Sequence, residues 1–159
     1  MKWKPSKRFV KRAGIGLIVA LGLAQFITID RTNPPVQTEI AAPPEVMAIL
    51  HRSCYDCHSN QTVWPWYSHV APASWLLSRD VHEGREEVNF TEWNTLPADK
   101  QARKIHKAAH EVAEGGMPLW FYLPMHPKAK LSDKDKATIQ AWADSIPAAP
   151  GSKPEADEE

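Results

Sequence analysis

The sequence feature that most constrains this chain is the run Cys54-Tyr55-Asp56-Cys57-His58. Two cysteines three positions apart, with a histidine directly after the second, form the signature of covalent c-type haem attachment. In such a motif each thiol adds to one vinyl group of the porphyrin, and the short tether brings the adjacent imidazole beneath the iron. The motif therefore predicts Cys54 and Cys57 as the attachment residues of one haem c, and His58 as the proximal iron ligand. It uses both cysteines of the chain.

Three other interpretations of the two cysteines are open. A disulfide would close a very short loop and would constrain the unfolded chain little. A thioredoxin-like site needs strands that alternate with helices, and the sequence shows no such alternation. Zinc is the stronger alternative, because His106 and His110 lie one helical turn apart and could complete a four-ligand site with Cys54 and Cys57. The interval between the two pairs is much longer than in finger-type sites, and a zinc site leaves His58 unexplained.

Length and charge narrow the possible functions. The 159 residues suit one domain with an anchor rather than two well-cored domains. Seven tryptophans and fourteen prolines suit a small domain with irregular connections around a flat apolar cofactor. Six of the nineteen basic residues fall within the first twelve positions, so residues 13–159 carry thirteen basic against nineteen acidic groups. This negative charge argues against a nucleic-acid partner.

The first thirty residues predict a cytoplasmic basic tail and a single transmembrane helix. The basic cluster precedes an apolar run over 13–29, which with Phe9 and Val10 approaches the roughly 20 residues needed to cross a bilayer. The basic residues should stay in the cytoplasm. The rest would then lie outside the bacterial cytoplasmic (inner) membrane, facing the periplasm or cell exterior, where c-type haem is attached. Cleavage after Ala24 is the alternative, but apolar Phe26 and Ile27 continue past that point, so an uncleaved anchor is favoured.

Beyond the anchor the sequence predicts a proline-rich extended linker over 31–44, a haem-binding domain over 45–147 and an acidic disordered tail over 148–159. Apolar periodicity predicts helices over 45–52, 72–88 and 96–115, with a last helix between Ser132 and Pro147. Thr95 is expected to cap the helix over 96–115, and Gly115 with Gly116 to end it. Ser132 is expected to cap the last helix. The expected fold class is therefore all-α.

Aromatic residues are dense just after the motif. We predict that three of them pack on the haem, where they would exclude water and raise the reduction potential: Trp64, Trp66 and Tyr67. Three polar residues farther along could line a polar distal pocket, although their spacing does not require it: His69, Arg79 and His82.

Met117 is the predicted distal iron ligand. It follows the helix end at Gly115 and Gly116, and Pro118 stiffens the chain after it. A methionine opposite a histidine also raises the reduction potential, as an electron carrier requires. The long interval from Met117 to Ser132 brings Met125 and His126 within reach as well. His126 is the alternative distal ligand, and an open position is the third possibility.

Several runs together resemble the bacterial haem-binding domain family. These runs are 54–60, 64–68, 116–118, Tyr122, 126–127 and 129–132. The resemblance covers about residues 45–146, and the helical layout also resembles small c-type cytochromes. It implies a mono-haem, cytochrome c-like helical domain that is exported or membrane-anchored, and it leaves the physiological partner undefined.

The sequence thus predicts a membrane-anchored mono-haem c-type cytochrome that acts in electron transfer rather than as an enzyme. The alternative from a different class is a haem-based peroxidase or gas sensor with an open distal position. The negative charge of residues 13–159 predicts a redox partner with a positively charged contact surface, which docks by electrostatic steering.

Overall fold

The computed structural model describes residues 6–147, and the predicted tail over 148–159 lies outside them. Six α-helices form within this range: α1 Lys7–Ala24, α2 Pro44–Ser53, α3 Tyr55–His58, α4 Ala73–Glu87, α5 Ala98–Glu114 and α6 Asp133–Asp144. Short 3-10 turns form at Trp66–His69, Trp93–Thr95 and Pro127–Ala129. No strand occurs among the described residues, where a parallel bridge joins Thr38 and Glu92. The predicted all-α class is therefore confirmed.

The chain divides into two compact units. Unit 1 consists of the described part of Met1–Thr32 together with Trp64–Asp80. Unit 2 consists of Asn33–Val63 together with the described part of Val81–Glu159, and it contains the whole cysteine motif.

Unit 1 is organised around the end of α1. The Ser6 hydroxyl accepts a hydrogen bond from the Phe9 N–H at 3.2 Å and so caps the start of α1. Beyond its end, the Gln25 amide group both donates to the Ala71 carbonyl at 3.2 Å and accepts from the Ala71 N–H at 3.0 Å. Arg31 donates to the Ser68 carbonyl at 3.0 Å. These bonds fix the segment after α1 to the chain that precedes α4.

None of the residues of α1 is buried. The sequence predicts a transmembrane helix over 13–29. Across residues 6–147, however, the structure contains no helix that combines the length and the apolar character required to cross a membrane.

Unit 2 has one apolar core, built mainly by α2, α5 and α6. Helix α6 packs against both α2 and α5. The apolar positions recur every three or four residues, so each helix turns one stripe inward. The buried side chains on these helices include Val46, Ile49, Leu50, Ile105, Ala109, Val112, Ile139 and Ala143.

Two of the three predicted helix ends are confirmed. Gly115 ends α5 with φ +82°, a left-handed conformation that glycine adopts without steric cost. Ser132 and Asp135 form a capping box at the start of α6, with bonds of 3.1 and 2.9 Å. The Ser132 backbone N–H lowers the pKa of the Asp135 carboxyl. The ionised Asp135 carboxylate therefore stabilises the folded protein at pH values above the ordinary pKa of the group. This stabilisation is lost as pH falls through the lowered pKa.

The prediction that Thr95 caps α5 is wrong. Thr95 belongs to the separate turn Trp93–Thr95, and its hydroxyl donates to the Glu92 carbonyl at 2.6 Å. Helix α5 begins only at Ala98, after an extended Pro97.

The segment predicted as a linker forms no helix before α2 begins at Pro44, and much of it lies against unit 2. The N–H groups of Gln37 and Thr38 donate to the Thr91 carbonyl at 3.0 and 3.1 Å. The Ile40 N–H donates to the Phe90 carbonyl at 2.8 Å, and the Ile40 side chain is buried in the core. Residues 37–40 therefore form part of the frame around the motif rather than a free spacer.

Candidate functional site

The cysteine motif forms one tight turn at the end of α2. The Cys54 N–H still donates to the Leu50 carbonyl at 2.8 Å. The Cys54 carbonyl then accepts from the N–H groups of Cys57 and His58, at 3.2 and 2.9 Å. Both thiols and the imidazole are thus carried by a single helical turn, as short-tether attachment requires.

Tyr55 anchors this turn in the core. Its side chain is 3% exposed, and its ring stacks on Phe90 with centroids 5.7 Å apart. Its hydroxyl donates to the Glu39 carboxylate at 3.0 Å. Burial, followed by this contact with Glu39, raises the pKa of the Tyr55 phenol, so it remains a neutral donor. The position between the two cysteines therefore has a structural purpose that the motif alone does not indicate.

The His58 imidazole is held by two backbone carbonyls. Its Nδ1 lies 2.8 Å from the Gly84 oxygen and 3.2 Å from the Val88 oxygen. Because a carbonyl oxygen only accepts hydrogen bonds, Nδ1 must carry the proton. Burial lowers the pKa of His58 and is the largest influence on it, which favours the neutral ring. The Nε2 atom of a neutral ring protonated at Nδ1 keeps its lone pair, the form in which histidine binds a metal.

The hydrogen bond to Gly84 depends on a close approach of two backbones. A Cβ atom at Gly84 would lie 2.8 Å from the Cys57 carbonyl oxygen and 3.2 Å from its carbon. Glycine is therefore the residue that lets α4 touch the motif and present its carbonyl to His58. Sequence analysis missed this role, because an isolated glycine within a helix has no distinctive local pattern.

A polar network fixes the irregular chain that follows His58. The Arg85 guanidinium donates to the Ser59 carbonyl and to the Thr62 hydroxyl, both at 2.9 Å. The Asn60 N–H donates to the Thr91 hydroxyl at 2.8 Å, and the Asn89 amide donates to the Asn60 side-chain oxygen at 2.8 Å. The segment is thus held by side chains rather than by regular secondary structure.

The two cysteines are not joined by a disulfide. Burial, and next the nearby Cys57, raises the pKa of the Cys54 thiol to about 12. Cys54 therefore carries a neutral thiol that packs against the core cluster. The disulfide alternative finds no support in this arrangement.

Both predicted distal ligands lie in unit 2 with the motif. Met117 is half-buried and packs against the same core cluster as Cys54, directly beyond the end of α5. The ring of His126 stacks on Tyr122, with centroids 4.0 Å apart and planes 6° from parallel. The Tyr122 hydroxyl in turn donates to the Asp56 carboxylate within the motif at 2.8 Å. Met125, the third candidate in this loop, is 54% exposed.

The structure does not bring the four predicted zinc ligands together. The His106 Nε2–H donates to the Ile146 carbonyl at 3.1 Å, and His110 is exposed. Within residues 6–147, no group of three or more histidine, cysteine, aspartate or glutamate side chains could hold a metal ion. The geometry therefore corrects the zinc alternative for Cys54 and Cys57, since His106 is engaged by Ile146 and His110 lies exposed on α5.

The aromatic residues predicted to pack on the haem belong to unit 1. Trp66 is 70% exposed and meets the half-buried Tyr67 edge to face at 5.8 Å. Trp64 is half-buried, and its indole N–H has no hydrogen-bond partner. Their packing on a haem stays a prediction.

The three polar residues predicted for a distal pocket lie at the surface. His69 and Arg79 are exposed. His82 pairs with Glu86 one helical turn away at 3.2 Å, and both side chains are mostly exposed. This local pair accounts for His82 without any role at the iron.

Comparison with known proteins decides the family. The sequence pattern of the haem-binding domain matches residues 19–145, most of the chain. The chain belongs to the haem-binding domain family. A curated relative, the cytochrome c peroxidase Ccp of Escherichia coli (strain K12), is 26% identical over 139 residues, which cover 82% of this chain and 30% of that protein. This haem-binding domain thus spans less than a third of the relative's length. No solved structure matches the chain.

Family membership supports haem as the ligand, and the residues of the motif fit it chemically. Two thiols lie within one turn, and the adjacent neutral imidazole has its Nδ1 proton committed to a carbonyl. Metal-bound histidines commonly donate their other ring N–H to a carbonyl, which fixes the ring and raises its basicity. Cys54, Cys57 and His58 are therefore the residues that could hold the haem.

We predict that Gly84→Ala disrupts the site. The added methyl group would meet backbone rather than a flexible side chain, so α4 must move away from Cys57. Overpacking of this kind costs about 1–3 kcal/mol of unfolding free energy, measurable by urea denaturation of the full chain. Gly16→Ala is the matched control, because a Cβ atom there meets nothing within 4 Å. A parental unfolding free energy for Gly84→Ala would contradict the close approach.

Proposed function

We propose that this protein is a mono-haem c-type cytochrome that transfers electrons. Cys54 and Cys57 would hold the haem covalently, and His58 would bind its iron. The observation that supports this most is the bond from His58 Nδ1 to the Gly84 carbonyl, because it leaves Nε2 as the available donor atom. A bound haem supplies a one-electron iron couple, and the protein supplies its ligands, orientation and surroundings.

The chain's own residues account for the properties that an electron carrier needs. Burial lowers the pKa of His58 and so favours the neutral imidazole. The carbonyls of Gly84 and Val88 hold the ring in one orientation. The network of Arg85 with Ser59 and Thr62 keeps the following chain in place. Such a preorganised frame allows a change of iron charge without rearrangement of the ligand turn.

A second candidate function is reaction with peroxide at an open distal position. The observation that favours it is the similarity of most of this chain to part of a cytochrome c peroxidase. The two functions differ at the sixth iron position. A side-chain ligand there suits electron transfer, whereas an open position lets a small molecule reach the iron. Met117 remains our proposed ligand, and His126 the alternative.

The location and partner of the protein are further parts of the proposal. We place the haem domain on the outer face of the bacterial cytoplasmic membrane, attached through its N-terminal segment. Six basic residues near the start, four of them in the first turns of α1, and the exposed apolar side chains of the rest of α1 support membrane attachment. The net negative charge of residues 13–159 supports a partner with a basic contact surface.

Covalent attachment predicts one denaturation-resistant haem per chain when the full chain is produced with cytochrome c maturation proteins. The measurement is haem staining after denaturing electrophoresis, together with iron and zinc analysis. Replacement of both Cys54 and Cys57 by serine should remove the stain, because no thioether can form. His82→Ala, which removes an imidazole from the surface of α4, should keep it. Stoichiometric zinc without haem in the parent chain would contradict the proposal.

Ligation by Met117 predicts a sulfur-to-iron charge-transfer band in the ferric spectrum of the haem-loaded protein. Met117→Ala should abolish the band, because the thioether is lost. Met125→Ala is the matched control, since this methionine lies in the same loop and is mostly exposed. Loss of the parental spectrum in His126→Ala instead would assign the ligand to His126. Rapid carbon monoxide binding to the ferrous parent, with no ligand displaced, would favour the peroxide function.

Membrane attachment predicts that the full chain sediments with membranes after cell disruption and resists extraction by high salt. A chain lacking residues 1–29 but carrying a cleavable export signal should be recovered in the periplasmic fraction. The intact mass of the purified parent separates the two N-terminal alternatives, because cleavage after Ala24 leaves Gln25 as the first residue. Recovery of an uncleaved parent chain in the aqueous fraction would contradict attachment.

A further inference from the structure

We infer that Tyr122 is a positioning residue that ties the loop between α5 and α6 to the cysteine motif and thereby limits replacement of the distal iron ligand. The inference rests on the proposed function, since it assigns a role toward a haem held at Cys54 and Cys57. It goes beyond that function by naming a contact that controls access to the iron.

The tie is a hydrogen bond between distant parts of the sequence. The Tyr122 hydroxyl donates to Asp56 Oδ2 at 2.8 Å, across 66 positions of the chain. The other carboxylate oxygen of Asp56 accepts from the Val63 N–H at 3.1 Å, and the Asp56 carbonyl accepts from the Thr62 hydroxyl at 2.7 Å. Asp56 is thus fixed by the segment after the motif, and it offers Tyr122 a preorganised acceptor.

On the loop side, Tyr122 is the centre of a compact turn. Its N–H donates to the Leu119 carbonyl at 3.0 Å, and its carbonyl accepts from the His126 N–H at 3.2 Å. Its ring stacks on His126. The same turn leaves Trp120 79% and Phe121 36% exposed, whereas the Tyr122 hydroxyl is bonded to the motif.

These contacts tie the turn over 119–126 to the cysteine motif through one phenol and one carboxylate. Both candidate side-chain ligands of the distal side, Met117 and His126, belong to the loop that Tyr122 holds. Opening of the loop away from Asp56 would therefore favour departure of either side chain from the iron. A hydrogen bond to a charged group shifts such an opening equilibrium by about 10- to 100-fold.

The test compares Tyr122→Phe, Asp56→Ala and the double variant in the haem-loaded full chain. Tyr122→Phe keeps the ring that stacks on His126 and removes only the donor. Imidazole binding to the ferric haem should tighten by about tenfold or more in each single variant, because less free energy is needed to open the loop. The double variant should bind no more tightly than the singles, since both changes remove the same bond.

Trp120→Phe is the matched control. It changes a 79% exposed aromatic side chain of the same loop and leaves the bond between Tyr122 and Asp56 in place. Its imidazole affinity should equal that of the parent. Parental affinity in Tyr122→Phe, or additive effects in the double variant, would overturn the inference.

Hydrogen exchange of the full chain provides a readout that does not depend on haem. Tyr122→Phe should speed exchange at the Tyr122, Met125 and His126 amides, while the amides of α6 keep their parental rates. A parent chain that takes up no covalent haem would refute the proposed function, and the exchange rates would still test the tie. Equal exchange rates in parent and variant would refute the tie by themselves.

Discussion

The bond from His58 Nδ1 to the Gly84 carbonyl is the interaction on which the rest of the site depends. It requires α4 to touch the cysteine turn, and this contact is possible only where the helix has no side chain. It also decides the chemistry of the ring, because a proton committed to a carbonyl leaves Nε2 as the donor atom. One contact thus explains the close packing of α4 on the cysteine turn, the need for glycine at position 84 and the position of the proton on the His58 ring.

Around this contact, three buried polar side chains form hydrogen bonds outside regular secondary structure. Ser59, Asn60 and Thr91 are each at most 3% exposed, and they bond to neighbouring backbone or side-chain atoms. A buried polar group that lacks a partner is costly, so such a network favours one conformation strongly. The result is a rigid turn beside a more exposed loop over 116–130. In this arrangement His58, the proposed proximal ligand, is fixed by packing, and the loop that carries the proposed distal ligands is tied to the motif by the bond from Tyr122 to Asp56.

The sequence predicted those features of the fold that depend on residues near one another along the chain. Some features depend only on residues close together in the sequence, so they can be predicted without a structure. They include the apolar periodicity of α5, the glycine at its end and the Ser132 cap of α6. The cysteine motif can be identified from the sequence for the same reason. The bonds of Arg85 to Ser59 and of Tyr122 to Asp56 join residues 26 and 66 positions apart, and no local pattern identifies such pairs. The zinc alternative was wrong for a similar reason. It relied on the spacing of the histidines, whereas in the structure His106 bonds to the Ile146 carbonyl, a contact that no local pattern identifies.

The central claim concerns which nitrogen of His58 carries the proton, and nitrogen-15 NMR of the histidine-labelled ferrous protein tests it most directly. The account predicts one slowly exchanging ring proton on Nδ1 of His58, hydrogen-bonded to a carbonyl, with Nε2 bearing no proton and bound to iron. His58→Ala assigns the signal, and His82→Ala should leave it in place. A His58 ring proton on Nε2, or a Nδ1 proton that exchanges as fast as that of the exposed His82, would contradict the account.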